Sequence, residues 1–72
     1  MDDTWKFCNR LAFYRKERGL TQVDLAFICK CSRNIISAIE SGLYNPSSKL
    51  AYSLCLALQV DFFDMFYFKE NI

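Results

Sequence analysis

The sequence predicts an all-α domain built from five short helices. In several segments, apolar residues recur at the spacing of about 3.6 residues that gives a helix one apolar face. Most of these segments follow a Thr, Ser or Asp, the residue types that cap the first turn of a helix. At the two chain ends, polar and aromatic residues alternate, which is typical of strands. Trp5 and Phe7 are therefore expected to pair with Phe66 and Phe68 in a short two-stranded antiparallel sheet.

Capping residues and glycines delimit the helices. Thr21 opens helix 2, and Asp24 follows at the spacing of a capping box. Ser32 is a good cap for helix 3, while Gly19 and Gly42 are placed to end helices 1 and 3. The helices are expected, in order, from Cys8 or Asn9 to Arg18, at about 22–29, at about 33–41, after Ser47, and from Asp61 to about Met65.

The link between helices 2 and 3 is so short that the two helices must cross at a sharp angle. About three residues link them, which is the length of a helix-turn-helix connection. The apolar stripe of helix 3 consists of Ile35, Ile36 and Ile39, so the opposite side of the helix is left free. Its first residues, Arg33 and Asn34, then lie at an exposed helix end, the kind of surface that a DNA major groove accepts.

A string of short motifs runs through this region: Gly19-Leu20-Thr21-Gln22, Leu25-Ala26, Ser32-Arg33, Ile36-Ser37-Ala38-Ile39-Glu40, Gly42 and Asn45-Pro46-Ser47. In this order they resemble the helix-turn-helix of the Xre-like family, the phage repressor and Cro type of small regulators. The resemblance covers about residues 9–66, with the helix-turn-helix unit at 21–41. It implies a compact lambda-repressor-like DNA-binding domain whose partner is double-stranded DNA.

Four residues of helix 3 are candidates for reading bases. An arginine can bond guanine O6 and N7, and an asparagine can bond adenine N6 and N7, so Arg33 and Asn34 are the primary candidates. Ser37, one turn further on, can contact a base or a phosphate. Ala38 can offer only its methyl group to a thymine.

A second group of residues is expected at DNA phosphates. The resemblance implies that Gln22 is a clamp, which binds a phosphate and braces the reading helix. The remaining candidates are polar or basic residues around the reading helix and on helix 1: Thr21, Ser41, Tyr44, Asn45, Lys30 and Arg10. The resemblance also implies that Arg15 and Glu40 form a partly buried ion pair, which joins helix 1 to the end of helix 3.

Lys30 departs from the family pattern because it stands in the usual place of the turn glycine. That position typically needs a positive φ, which costs a lysine about 1 kcal/mol. Leu43 also departs, since a lysine is common there and one phosphate contact is lost.

The chain has more apolar surface than a domain of its size can bury. It has 72 residues in one expected domain, of which 53% are hydrophobic, yet so short a chain buries only about 60% of its unfolded surface. One apolar group in the C-terminal part, 61–72 with the end of helix 4, is assigned to a homodimer contact: Leu56, Phe62, Phe63, Phe66 and Phe68. A second group is left open between binding another protein and holding the N-terminal segment: Phe13, Val23, Phe27 and Ile28.

Charge is unevenly distributed along the chain. Residues 4–33 carry seven basic and two acidic side chains, a net charge of +5, and the remaining residues carry two basic and six acidic ones, a net charge of −4. A basic half of this kind suits a polyanion such as DNA.

Several other classes of protein are disfavoured. The chain has no histidine, no glycine-rich phosphate loop and no paired carboxylates in a plausible cleft, so no enzyme activity, cofactor or small-molecule substrate is expected. A metal site is not expected either, because Cys29 and Cys31 are one residue apart and Cys8 and Cys55 are distant. With no signal peptide or membrane span in the sequence, the protein is expected in the cytoplasm, with its cysteines as thiols.

The leading interpretation is a homodimeric repressor that binds a near-palindromic operator through the major groove. Two copies would place their third helices about 34 Å apart, one turn of DNA. The alternative is a protein-interaction module on the same fold, such as an antitoxin-like or anti-repressor subunit that uses the apolar group on helices 1 and 2.

Overall fold

A computed structural model describes residues 4–70 and contains five helices and two strands. In chain order the elements are β1 (Trp5–Asn9), α1 (Leu11–Glu17), α2 (Gln22–Cys29), α3 (Arg33–Glu40), α4 (Ser48–Leu58), α5 (Phe62–Met65) and β2 (Phe66–Glu70). The five predicted helices are confirmed. The all-α description needs correction, because β1 and β2 form the two-stranded sheet that the alternating ends had indicated. Residues 71–72 of the predicted dimer segment lie outside the described range.

The helix starts follow from the predicted capping residues. The Thr21 hydroxyl accepts a hydrogen bond from the Asp24 N–H at 3.0 Å, and the Asp24 carboxylate accepts one from the Thr21 N–H at 2.9 Å. These two bonds form the capping box. The side chains of Ser32, Ser47 and Asp61 accept main-chain N–H groups at the starts of α3, α4 and α5 in the same manner.

Helix α1 is shorter than the sequence predicts. Cys8 and Asn9 were assigned to its start, but both belong to β1, and the helix begins at Leu11. The reason is that Cys8 and Asn9 pair with Tyr67 and Phe66 of β2, and a residue paired in a strand cannot also belong to the helix. The Asn9 side chain then accepts the Leu11 N–H at 3.0 Å, which starts the helix without a Ser or Thr cap.

The core lies where the five helices meet, and the ribbon of β1 and β2 closes one side of it. Its fully buried side chains come from all five helices: Leu11, Leu25, Ile36, Ile39, Leu54, Leu58 and Met65. The predicted ribbon forms, with Phe7 opposite Phe68, but Phe66 lies opposite Asn9 and Trp5 lies opposite Glu70. The Phe7 ring stacks on Phe66 with a centroid distance of 5.5 Å, which connects the ribbon to the core. None of the helices within residues 4–70 is long and apolar enough to cross a membrane.

Two residues other than glycine adopt the left-handed conformation. Lys30 has φ 56°, which confirms the prediction for the turn between α2 and α3. Gln59 has φ 55° at the end of α4, and no sequence signal had indicated it. A side chain with a Cβ is strained at such a φ, so both positions carry a local cost.

We expect Gln59→Gly to raise the free energy of unfolding by about 1 kcal/mol, because glycine ends a helix at this φ without strain. Urea denaturation followed by circular dichroism measures the change. Gln59→Ala is the matched control, since alanine retains the Cβ and the strain. Equal stability of the glycine and alanine variants would contradict the explanation.

Candidate nucleic-acid interface

The turn between α2 and α3 leaves the start of α3 exposed. The Cys31 N–H returns to the Ala26 carbonyl at 3.0 Å and Ser32 caps α3, so the chain reverses within a few residues. Ile36 and Ile39 are buried beneath α3. Arg33 and Asn34 are exposed, and within residues 4–70 neither side chain has a hydrogen-bond partner. Their donors and acceptors are therefore available to an external ligand.

Ser37 and Ala38 are less accessible than the residues before them. Both are half-buried, so α3 presents its first turn more fully than its second. The Ala38 carbonyl accepts the N–H groups of Leu43 and Tyr44 and the Ser41 hydroxyl, which holds the loop after α3 in place. The Ala38 methyl group is the part of this residue that remains for a ligand.

An ion pair braces α3 against the rest of the domain. The Arg15 guanidinium binds both carboxylate oxygens of Glu40, with Nε to Oε2 at 2.6 Å and Nη2 to Oε1 at 3.2 Å. Both side chains are about nine-tenths buried. The predicted ion pair is thereby confirmed. Arg15 also donates to the Leu20 carbonyl at 2.8 Å, so one side chain connects α1, the loop before α2 and the end of α3.

Gln22 takes part in the same cluster. Its Nε2 donates to Glu40 Oε1 at 3.0 Å, which ties the first residue of α2 to the last residue of α3. The bracing role expected for Gln22 is therefore present in the structure. Its Oε1 and its second N–H have no partner within residues 4–70, and they remain candidates for a phosphate contact.

The cluster shifts the pKa of both charged groups. Burial alone would raise the pKa of Glu40, but the hydrogen bonds from Arg15 and Gln22 and the positive charge of Arg15 outweigh it, so the pKa is lowered. The hydrogen bond to Glu40 raises the pKa of Arg15 despite its burial. Both residues are consequently charged at neutral pH.

The other candidates for phosphate contact differ in their exposure and in the hydrogen bonds that they already make. The Thr21 N–H is already bonded to Asp24, which leaves its hydroxyl proton for a phosphate. Ser41, Tyr44 and Asn45 are exposed around the loop after α3. Lys30 is exposed beside the turn, where it lines one wall of an open groove of about 640 Å³ between α2 and α4.

Arg10 makes contacts within the domain that the sequence analysis did not predict. Its guanidinium donates to the Asp64 carbonyl at 3.0 Å and lies 4.0 Å from the centre of the Tyr67 ring. The charge is therefore held against α5 and β2 by a hydrogen bond and a cation–π contact. Sequence reasoning missed this because the partners are more than fifty positions away along the chain.

Asn9 is a positioning residue that the sequence analysis did not identify. Its Nδ2 donates to the Ile39 carbonyl at 3.0 Å, near the end of α3, while its Oδ1 accepts the Leu11 N–H. One amide thus anchors both α1 and α3 to the end of β1. An asparagine directly before a helix is a weak signal for such a role, and nothing in the sequence indicates the bond to Ile39.

Three of the four cysteines are packing residues. Cys55 is buried, and Cys29 and Cys31 are half-buried against the core. Burial raises the pKa of all three thiols, which keeps them neutral at pH 7. Within residues 4–70, no three metal-ligating side chains are grouped closely enough to hold a metal ion.

Two apolar surfaces remain uncovered. In the predicted dimer group, Leu56, Phe62, Phe63 and Phe68 are exposed, with Phe63 at 84%. Phe66 was wrongly included, because it is only 3% exposed and its ring packs between Phe7 and Phe62. The second surface is formed by four exposed side chains of α1 and α2: Phe13, Val23, Phe27 and Ile28. The described part of the N-terminal segment pairs with β2 and does not cover it.

Residues 11–65 match the helix-turn-helix family. The chain belongs to the Xre-like helix-turn-helix family. It is 41% identical over 63 residues to an uncharacterised HTH-type transcriptional regulator of Methanocaldococcus jannaschii, a match that covers 88% of this chain and 96% of that protein. Membership confirms the resemblance that the motifs indicated.

Two solved structures of regulators have similar folds. The restriction-modification controller protein C.AhdI from Aeromonas hydrophila matches with a TM-score of 0.72 and 31% identity, over 76% of this chain and 83% of that one. The clp gene regulator ClgR from Corynebacterium glutamicum matches with a TM-score of 0.71 and 33% identity, over 75% of this chain and 57% of that one. The family and the fold are those of DNA-binding regulators.

We expect Glu40→Gln to lower the free energy of unfolding at pH 7 by about 3 kcal/mol, because it leaves the buried Arg15 charge unpaired. The lowered pKa of Glu40 means that its contribution is complete above the unfolded pKa of about 4.3 and is lost as pH falls through the folded value. As pH falls below about 4.3, the free energy of unfolding should therefore decrease less for the variant than for the natural protein.

Chemical denaturation between pH 3 and pH 7 measures both effects. Glu17→Gln is the matched control, since Glu17 is exposed on α1 and its replacement should change stability by less than about 0.5 kcal/mol. An unchanged free energy of unfolding for Glu40→Gln at pH 7 would show that the cluster does not brace the fold.

Proposed function

We propose that the protein is a sequence-specific DNA-binding repressor, which acts as a homodimer on a near-palindromic operator and represses by occupying it. The observation that carries this proposal is the first turn of α3. Arg33 and Asn34 are exposed there and have no hydrogen-bond partner in the described part of the chain. Their helix is capped by Ser32 and braced at its other end by Glu40. Base edges in the major groove offer complementary donors and acceptors.

The arrangement of polar groups around α3 supports the same proposal. Gln22 lies at the start of α2, and Ser41, Tyr44 and Asn45 lie at or beyond the other end of α3. Phosphate contacts on both sides of a reading helix fix its register in the groove, whereas base contacts provide specificity. A second copy would place another α3 about 34 Å away, in the next major groove on the same side of the duplex.

The exposed surface on α1 and α2 favours a second candidate, a protein-interaction module on the same fold. Phe27 is 84% exposed, which is costly for a side chain without a partner. The two candidates differ in their response to polyanions. Retention on heparin that falls steeply with salt supports the regulator, and indifference to heparin together with a stable complex with another protein supports the interaction module.

We expect Arg33→Lys to lower discrimination between operator and random duplex by about 1–3 kcal/mol. Lysine preserves the charge but cannot form the paired hydrogen bonds of a guanidinium, so non-specific affinity and its salt dependence should change little. Fluorescence anisotropy with an operator selected from random duplexes measures the ratio. Lys6→Ala is a control, because it removes an exposed positive charge on β1. Full discrimination by Arg33→Lys would refute the base-reading role.

We expect Gln22→Ala to weaken binding to operator and random duplex by a similar factor, roughly 5- to 10-fold, because phosphate contacts carry no sequence information. The same titrations measure it. Gln59→Ala removes an exposed glutamine amide at the end of α4 and should leave both affinities unchanged. A loss confined to the operator would instead assign Gln22 to base reading or to the orientation of α3.

A further inference from the structure

The hydrogen bonds of the ribbon determine which of its main-chain groups point outward. The Arg10 N–H donates to the Met65 carbonyl at 2.8 Å, and this pair continues the register of β1 and β2 by one step. In an antiparallel pair, hydrogen-bonded positions alternate with positions whose N–H and C=O groups point away from the neighbouring strand. The outward positions are therefore Trp5, Phe7 and Asn9 on β1, and Phe66, Phe68 and Glu70 on β2.

The outer edge of β2 is partly occupied at its start and open along the rest. The Phe66 N–H donates to the Phe62 carbonyl, so α5 lies beside the first residue of this edge. Within residues 4–70, the N–H and C=O groups of Phe68 and Glu70 and the C=O group of Phe66 have no recorded partner there. An open strand edge is a template for another strand, and a ribbon of two strands is barely stable alone.

The surroundings of this edge favour a second copy of the chain as the added strand. Phe68 is 44% exposed, and the exposed Phe62 and Phe63 of α5 continue the same surface. An edge with aromatic side chains beside it offers both main-chain hydrogen bonds and apolar area to a symmetric partner.

One register avoids like-charge pairs and forms the largest share of the possible hydrogen bonds around the two-fold axis. In a symmetric antiparallel pair, a two-fold axis at Lys69 or Glu70 would place like charges opposite each other, which destabilises paired strands. An axis at Phe66 or Tyr67 would need the Phe66 N–H, which is already bonded to α5. An axis at Phe68 places Tyr67 opposite Lys69 of the second copy and Phe66 opposite Glu70, so no like charges face each other. The Phe66 N–H stays bonded to α5, so each outer Phe66–Glu70 pair forms one hydrogen bond, while the central Phe68 pair forms two.

We propose that two copies of the protein associate along β2, with the two-fold axis at Phe68, so that their ribbons form one continuous sheet in the order β1–β2–β2–β1. The Phe68 N–H donates to the Phe68 carbonyl of the second copy, and the Glu70 N–H donates to the Phe66 carbonyl, each in both directions. The two Phe68 side chains become direct cross-strand neighbours. This inference rests on the proposed homodimer and assigns its contact surface.

Amide hydrogen exchange on the unmodified protein tests the proposal directly. At a concentration where sedimentation shows a dimer, the amides of Phe68 and Glu70 should exchange at least about tenfold more slowly than those of Trp5, Phe7 and Asn9. Dilution to the monomer should remove this difference. Equally rapid exchange at both edges of the ribbon in the dimer would overturn the proposal, and so would a protein that sediments as a monomer at every concentration.

A matched pair of proline variants gives a second test. Phe68→Pro and Trp5→Pro each remove one outward N–H and one aromatic side chain of similar exposure, 44% and 42%, and neither removes a hydrogen bond within the ribbon. Phe68→Pro should raise the dimer dissociation constant by about tenfold or more, because two-fold symmetry means that the substitution removes a hydrogen bond from each of the two strands. Trp5→Pro should leave the dissociation constant within about twofold. Thermal unfolding checks that both variants fold. Equal effects of the two variants would contradict pairing through β2.

Binding to DNA separates this inference from the proposed function. If the protein forms a dimer with a protected Phe68 amide but cannot distinguish operator from random duplex, pairing through β2 is supported and the proposed regulator function is refuted. If the dimer distinguishes its operator while the amides of Phe68 and Glu70 exchange rapidly, the proposed regulator function is supported and pairing through β2 is refuted.

Discussion

The buried ion pair between Arg15 and Glu40 is the interaction on which the position of α3 depends. Arg15 is on α1, Glu40 is the last residue of α3, and Gln22 at the start of α2 donates to the same carboxylate. Three helices are thus tied at one point by charge-assisted hydrogen bonds with fixed geometry. A buried pair of this kind adds little net stability compared with apolar packing, but it holds one arrangement of the helices. The cluster therefore bears on function through the orientation of α3.

Local features of the chain could be predicted from the sequence because they depend on neighbouring residues. The capping box of Thr21 and Asp24 and the Ser32 cap each involve residues three positions apart. The left-handed Lys30 was predicted from the family pattern, in which a glycine usually occupies this position. The ribbon could also be predicted, since alternation at both chain ends left few other partners. The ion pair was accessible only through the family resemblance, because twenty-five positions separate its members.

Features that depend on distant partners were missed or misassigned. The Asn9 amide bonds the Ile39 carbonyl, and the Arg10 guanidinium bonds the Asp64 carbonyl, contacts that no periodicity or capping rule reports. Phe66 was assigned to the dimer surface as part of one apolar group with Phe62, Phe63 and the aromatic tail. In the structure the chain turns into β2 at that residue, and its ring packs into the core. Sequence patterns predict which residues are apolar, but the direction of a side chain at such a junction follows from tertiary packing.

The proposed function depends on contact between the first turn of α3 and DNA bases. The most direct measurement is an NMR titration of the isotopically labelled protein with a duplex selected from a random pool. The largest amide shifts are expected at residues 32–37, with smaller ones at the start of α2. Shifts concentrated around Phe13 and Phe27, with the amides of 32–37 unchanged, would contradict the proposed function.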